Sequence, residues 1–377
     1  MISYGKQYID KKDIDNVVKT LRGNFLTQGP NVEKFEKKLC QVLKSKKALC
    51  VSSGSAALHI AGKCLGWKRG DKIVSSPITF IAGTAAALHC NASPEFVDID
   101  KDTFNIDNEK LETKLKKDKK IKAVIITDFA GQPANWEDLF YLKKKYKVKL
   151  INDNCHSIGS KYMNNIGYAA KYADLSCLSF HPVKHITTGE GGAIITNNIR
   201  IYEKCKLLRS NGMVKKNNIF PGYSEMQDLG FNYRMSDIHA SLGLSQLKKL
   251  DKFISFRKKI AKKYDNFFDE IQEIKTPYLA SNRSHSYHLY VLQINFEKIK
   301  KTKKALFDIF KKNKIQLQVH YVPLFLQPYI KKKYKLKKVD FINTLEYYKK
   351  SFSIPIYYNL NDKTIHNVYK ILKKFLK

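Results

Sequence analysis

The chain has 377 residues, 43% of them hydrophobic and 27% charged, enough apolar material for two packed cores. Its formal net charge is +35, yet seven of its 69 basic residues are arginine, the cation that base edges and phosphates favour. Nucleic-acid binding is therefore set aside as the main function. The absence of an apolar run near the ~18 residues of a bilayer span, and of an apolar leader in MISYGKQYIDKKD, points to a cytoplasmic protein.

Seven predicted strands follow in chain order as short apolar or β-branched runs: Ala48–Ser52, Lys72–Ser76, Pro94–Asp98, Ala123–Thr127, Val148–Asp153, Leu175–Phe180 and Ala193–Thr196. Helical segments separate most of them, which implies a largely parallel sheet with helices on both faces and ligands at the carboxyl ends of the strands. Lysine runs such as Lys114–Lys122 and Lys143–Lys149 fall on helix-like segments and read as solvated faces. From Ser236 the pattern becomes one long amphipathic helix through about Phe268. A smaller α+β unit follows, with strands near Tyr287–Ile294 and Gln316–Tyr321 and a last helix at Asp362–Leu376. The predicted domains are 1–245, with an N-terminal arm, and 246–377.

The first strand runs through Ser52-Ser53-Gly54-Ser55 into a helix, and small residues there let backbone amides approach a phosphate at a positive helix terminus. An ordinary helix cap fits the same residues. Pro77-Ile78-Thr79-Phe80 puts an aromatic ring at the end of the second strand, for a ligand face or for core packing. Asp153 ends an apolar strand, where a carboxylate needs a cationic partner such as a protonated pyridine nitrogen; a helix cap beside a satisfied His156 is the plainer use. Between Ala173 and Asn198 one lysine remains, Lys184, where about four are expected at the chain's lysine density. An isolated amine between a strand and the glycines 189, 191 and 192, flanked by His181 and His185, suits a desolvated nucleophile for Schiff-base chemistry. The seven cysteines are odd in number and show neither C-x-x-C pairs nor metal spacing, so reduced thiols and no metal are expected.

Amine, carboxylate, aromatic face and helix terminus together describe a site for pyridoxal phosphate. The segments FLTQGP, SSGSAALH, SPITF, FVDID, FHPVKHITTGEGG, LGFNYRMSDIHASLGLSQL and VHYVPLFLQPY span nearly the whole chain, and with them it resembles the DegT/DnrJ/EryC1/StrS aminotransferases. DFAGQP, HPVK-x-ITTGEGG and HYVPLFLQPYI look most like the pseudaminic-acid branch of that family.

The resemblance implies a fold-type I transferase that carries an amino group from glutamate to a UDP-linked 4-keto sugar. It implies that Lys184 is the Schiff-base and proton-carrying lysine, that Asp153 pairs with the pyridine nitrogen, and that His156 lies near the ring hydroxyl. Phe80 is expected against the ring, with Gly54, Ser55, Ala56 and Ser179 around the phosphate. Asn232 is expected to reach the phosphate of a second copy in a homodimer. Tyr4, Thr27, Gln28, His320 and Tyr321 are expected on the sugar side. Three departures stand out: Asn152 replaces a usual Glu, Ser53 and Ser55 replace a usual Asn and Thr, and Asn211 replaces a usual His.

Overall fold

The computed structural model describes residues 1–216, 218–334 and 338–377. Seven strands form the central sheet: β1 (Lys47–Val51), β2 (Lys72–Ser75), β3 (Ser93–Phe96), β4 (Ile121–Thr127), β5 (Lys149–Asp153), β6 (Leu175–Ser179) and β7 (Gly192–Thr196), in the order β1-β7-β6-β5-β4-β2-β3. The run from β6 through β5, β4 and β2 to β3 is parallel. Strand β7 is antiparallel to both of its neighbours.

The burial of these strands explains why they read as continuous apolar runs. Along β4, Ala123 and Ile125 pack on one face with the helices Gly54–Cys64, Ala82–His89 and Ile199–Arg209, while Val124 and Ile126 pack on the other with Asn108–Lys117 and Trp136–Tyr146. Side chains alternate at every residue, so a strand covered twice is apolar at most positions. Pro30–Leu43 and Asp237–Leu247 cover the β1–β7 end through Phe35, Leu39, Ala240 and Leu247.

The C-terminal part holds a three-stranded antiparallel sheet of β8 (Ile274–Lys275), β9 (Tyr290–Ile294) and β10 (Ser351–Ile354), in that order. The helices Lys303–Lys312 and Asp362–Leu376 pack against it in a separate core. The helix Leu250–Phe268 serves both cores, with Leu250, Phe253 and Ile254 in the first and Ile260, Tyr264 and Phe268 in the second.

Two sequence expectations are corrected. The long helix predicted from Ser236 is two helices, Asp237–Leu247 and Leu250–Phe268, broken at Lys248–Lys249. The buried Asp13 carboxylate accepts from both the Gln246 amide (2.7 Å) and the Lys249 ammonium (2.6 Å), so the N-terminal helix Lys11–Leu21 is tied in at the break. Ser236 caps the first of the pair, accepting from His239 N. Nor is Gln316–Tyr321 a strand; Gln318 forms one isolated bridge to Ser353 before the chain turns inward. Its partner β10 was missed because SFSI lies between lysines and a proline. Among the described residues no helix is long and apolar enough to cross a membrane, and no group of histidine, cysteine and acidic side chains is placed to hold a metal.

Candidate active site

Strands β4, β5 and β6 deliver their carboxyl ends side by side. Thr127 and Asp153 are in register there, and Thr127 Oγ1 donates to Asp153 Oδ2 at 3.4 Å while sharing a 2.8 Å hydrogen bond with Thr79 Oγ1. Among the described residues the other carboxylate oxygen takes only the Cys155 N–H, at 3.3 Å. Both bonds are longer than those a buried carboxylate forms when its charge is fully met. Asp153 is 5% exposed, so these sparse contacts leave it suited to a further cationic partner.

Lys184 lies in the turn after β6, where its own N–H donates to the His181 carbonyl. Its ammonium approaches His288 Nε2 at 3.5 Å. Burial pulls its pKa below the usual lysine range, against the opposing influence of Cys155 and Asp153. Beside it, His185 Nε2 meets the Ser286 carbonyl at 3.0 Å, which ties that histidine to the backbone.

The loop after β1 is pressed onto the ends of β6 and β7. A Cβ on Gly54 would come within 2.9 Å of Ser179 Cβ, and one on Gly192 within 2.5 Å of the Ser53 carbonyl, so glycine is required at both positions. Ser53 caps the helix by accepting from Ala56 N at 3.0 Å. Gly54, Ser55, Ala56 and Ser179 thus meet at a helix N-terminus beside the amine and the carboxylate, with the Ser55 side chain exposed. A positive helix end with close backbone approach fits a phosphate.

The fourth side comes from the C-terminal part. His156 Nε2 shares a 3.1 Å hydrogen bond with the Tyr321 hydroxyl, while its Nδ1 is buried without a partner. Burial first, then Lys184 and neighbouring histidines, push the His156 pKa well below the usual imidazole range. His320 bonds Ser353 Oγ through Nδ1 at 2.8 Å and is pushed down to about 3 by burial; Tyr4 packs edge-on against it at 5.0 Å. Phe80 is exposed, 6.2 Å from the Tyr321 ring, and the two line a cleft of about 900 Å³ with Thr79, Ile81, Val322 and Tyr329. The unpartnered His156 nitrogen, the sparsely bonded Asp153 and the Gly54 cradle fit pyridoxal phosphate in ring, charge and phosphate alike.

The structure brings Lys184, Asp153, Gly54, Ser55, Ala56 and Ser179 to the carboxyl ends of β5 and β6, links His156 there to Tyr321, and places Tyr4, His320 and Phe80 around Tyr321. Thr27, Gln28 and Asn232 are exposed; Thr27 bridges to Ser236 and Asn232 to Ser210, and next to Asn232 the Tyr233 carbonyl accepts from Ser52 N at the start of the phosphate cradle. Asn152 is accounted for by its packing: its amide donates to Asp128 at 2.9 Å and its carbonyl accepts from Ser176 at 2.8 Å, beneath the site. Sequence reasoning missed Thr127 and His288. The one visible signal for His288 was the crowded run His285-Ser286-Tyr287-His288.

Comparison with known proteins places these residues in context. The DegT/DnrJ/EryC1/StrS aminotransferase family model matches residues 7–373. A UDP-4-amino-4,6-dideoxy-N-acetyl-beta-L-altrosamine transaminase of Campylobacter jejuni is 40% identical over 365 residues, 96% of this chain and 94% of that protein. Among solved structures, Helicobacter pylori PseC, an aminotransferase in pseudoaminic acid biosynthesis, superposes with a TM-score of 0.92 at 31% identity, covering 99% of each chain. Spr1654 of Streptococcus pneumoniae, a sugar aminotransferase in its PLP form, gives 0.91 at 25% identity over 99% of this chain and 98% of that one.

Proposed function

The chain belongs to the DegT/DnrJ/EryC1/StrS aminotransferases and is a pyridoxal-phosphate enzyme, and on that premise we propose that it moves the amino group of L-glutamate to C4 of a UDP-linked 4-keto-6-deoxy-N-acetylhexosamine, in amino-sugar synthesis of the pseudaminic-acid type. The observation that carries the chemistry is the half-buried Lys184 amine at the end of β6 beside the sparsely bonded Asp153 at the end of β5. The similarity to the Campylobacter transaminase supports the choice of sugar.

When bound, pyridoxal phosphate supplies an electrophilic aldehyde carbon and a ring that accepts electrons. Lys184 would hold it covalently at rest, then act as acid and base: Nζ would move the proton from the donor Cα to the cofactor's aldehyde carbon, and in the second half-reaction from that carbon to C4 of the sugar. Burial lowers the amine pKa, which raises the share of neutral Nζ available as base. Asp153 would hold the proton on the pyridine nitrogen. His156 and Tyr321 would orient the ring through their hydrogen bond, and Gly54, Ser55, Ala56 and Ser179 would hold the phosphate. Phe80 would lie against the ring, and Tyr4, His320 and Tyr321 would form the wall facing the sugar.

The substrate is tested by offering the L-arabino and D-xylo epimers of the UDP-linked 4-keto-2-acetamido sugar separately. The expected ratio of kcat/KM favours the L-arabino sugar by ~10-fold or more, because a buried polar group left unpaired by the wrong isomer costs about 1–3 kcal/mol. Preference for the D-xylo sugar, or for a 3-keto sugar, removes this substrate and leaves the amino-transfer chemistry standing.

The same reading makes the protein a homodimer in which Asn232 of one copy completes the phosphate site of the other. Support comes from the exposed position of Asn232 and from Phe220, Met226 and Leu229, apolar side chains exposed by 56%, 60% and 65% on the neighbouring hairpin. Mixing Lys184→Ala and Asn232→Ala chains, each inactive alone, is expected to restore part of the activity, because a hybrid dimer contains one site with both residues. An active species that scatters light as a monomer contradicts the shared site.

A further inference from the structure

Among the described residues, the Lys184 ammonium has one hydrogen-bond partner, and it comes from 104 residues away: His288 Nε2, at 3.5 Å. That distance is the outer limit of a hydrogen bond, as is common at catalytic contacts before substrate arrives. His288 is 4% exposed, and its Nδ1 is buried without a partner. Which imidazole nitrogen carries the proton is normally set by the bond the other one makes, and here nothing sets it. With the proton on Nε2 the ring can donate to a neutral amine; with the proton on Nδ1, Nε2 can accept from an ammonium. Burial, reinforced by Lys184 and His156, holds the His288 pKa well below the usual range, so the ring is neutral in either role.

The placement of this ring is costly, which argues that it is built. Ser286 N donates to the Gly131 carbonyl at 2.9 Å and Leu289 N to the Ala130 carbonyl at 3.1 Å, clamping the segment onto the loop after β4. Tyr287 is held at φ +50°, a left-handed conformation that a tyrosine adopts only under constraint. Behind it Arg257, 2% exposed, spends one guanidinium nitrogen on three carbonyls: Tyr287 at 3.1 Å, His288 at 3.3 Å and Ile356 at 2.7 Å. Burial alone pulls its pKa down to about 10, with no acid contributing. A buried cation that answers only to backbone carbonyls is an expensive way to fix a loop.

We propose that His288 is a further catalytic residue, a neutral imidazole that hydrogen-bonds Lys184 Nζ whether it is amine or ammonium, and that Arg257 is the positioning residue that holds it there. The inference rests on Lys184 being the proton carrier of the proposed reaction. A half-buried amine that collects a proton needs an acceptor for the charged form and must not be trapped in it; a neutral partner able to reverse its role meets both needs. The other titratable groups facing Lys184 are Asp153 at the end of β5, Cys155 and His156 after it, His185 at its side, His320 from the C-terminal part, and Lys6, which lines a small cavity with it. Burial keeps the three histidines neutral and raises the Cys155 and Tyr321 pKa values well above their usual ranges.

The test uses full-length, cofactor-free protein, with trace acetylation of Lys184 by acetic anhydride followed across pH by peptide mass spectrometry. In His288→Phe the apparent pKa of Lys184 is expected to fall by about one unit, because the ammonium loses its acceptor in a buried site. In His288→Gln, whose amide can turn to donate or accept, it is expected to stay at the native value. His288→Leu is a second apolar replacement should phenylalanine disturb the core. In the loaded enzyme the apolar variants are expected to lose roughly 10- to 100-fold in kcat with little change in the KM for glutamate, and the glutamine variant to recover most of it. The same Lys184 pKa in native, apolar and glutamine proteins overturns the inference, as does a glutamine variant as impaired as the apolar ones. The acetylation needs neither substrate nor cofactor, so it is read independently of whether Lys184 proves to be the proton carrier.

Discussion

Replacing Lys184 by alanine is expected to abolish amino transfer, by at least ~10⁴-fold in kcat, since one side chain provides both the covalent tether and the acid–base step. The stretch Ala173–Asn198 holds no second lysine, and the amine's hydrogen-bond neighbour is a histidine. The variant is also expected to lose any cofactor bond that borohydride can reduce and that survives denaturation. Turnover within 100-fold of native, or a borohydride-fixed cofactor in the variant, would falsify the role given to Lys184.

Asp153→Asn is the second large expected loss. The substitution keeps the shape and leaves the neighbouring Cys155 N–H and Thr127 hydroxyl their contacts, but removes the charge that would pair with a pyridinium. Removing one partner of a buried charge pair costs about 3–5 kcal/mol, which corresponds to roughly three orders of magnitude in turnover. The variant is still expected to bind pyridoxal phosphate through the Gly54 cradle, so binding measured by dialysis and kcat should part company. Activity within tenfold of native means that Asp153 serves the sheet and not the ring.

The parts of this site that were legible in the sequence are those made by local rules. Each strand of the central sheet is a short, mostly apolar run because both faces are covered; Asn152 on β5 and Ser176 on β6, hydrogen-bonded to each other, interrupt the runs before they end at Asp153 and Ser179. Glycine at 54 and 192 follows from backbone approach, and the depletion of lysine around Lys184 shows in composition alone. The unreadable parts are set by long-range packing. The break at Lys248–Lys249 contains neither proline nor glycine, and depends on an Asp13 carboxylate more than 230 residues away in sequence. His288 reads as an ordinary residue before a strand, because the Arg257 clamp and the Gly131 contact that turn it toward Lys184 exist only in three dimensions. The segment Gln316–Tyr321 alternates like a strand, yet it forms a single bridge and delivers His320 and Tyr321 to the site instead.

Nitrogen-15 L-glutamate tests the central claim most directly. Incubated with the native protein, pyridoxal phosphate and the UDP-linked L-arabino 4-keto-2-acetamido-2,6-dideoxy sugar, it is expected to yield 2-oxoglutarate and a sugar nucleotide whose new amine carries the label on C4, read by mass and by carbon–nitrogen coupling. Label on C3, or an unlabelled sugar beside unconsumed glutamate, contradicts the assignment of this chain as a glutamate-dependent 4-aminotransferase.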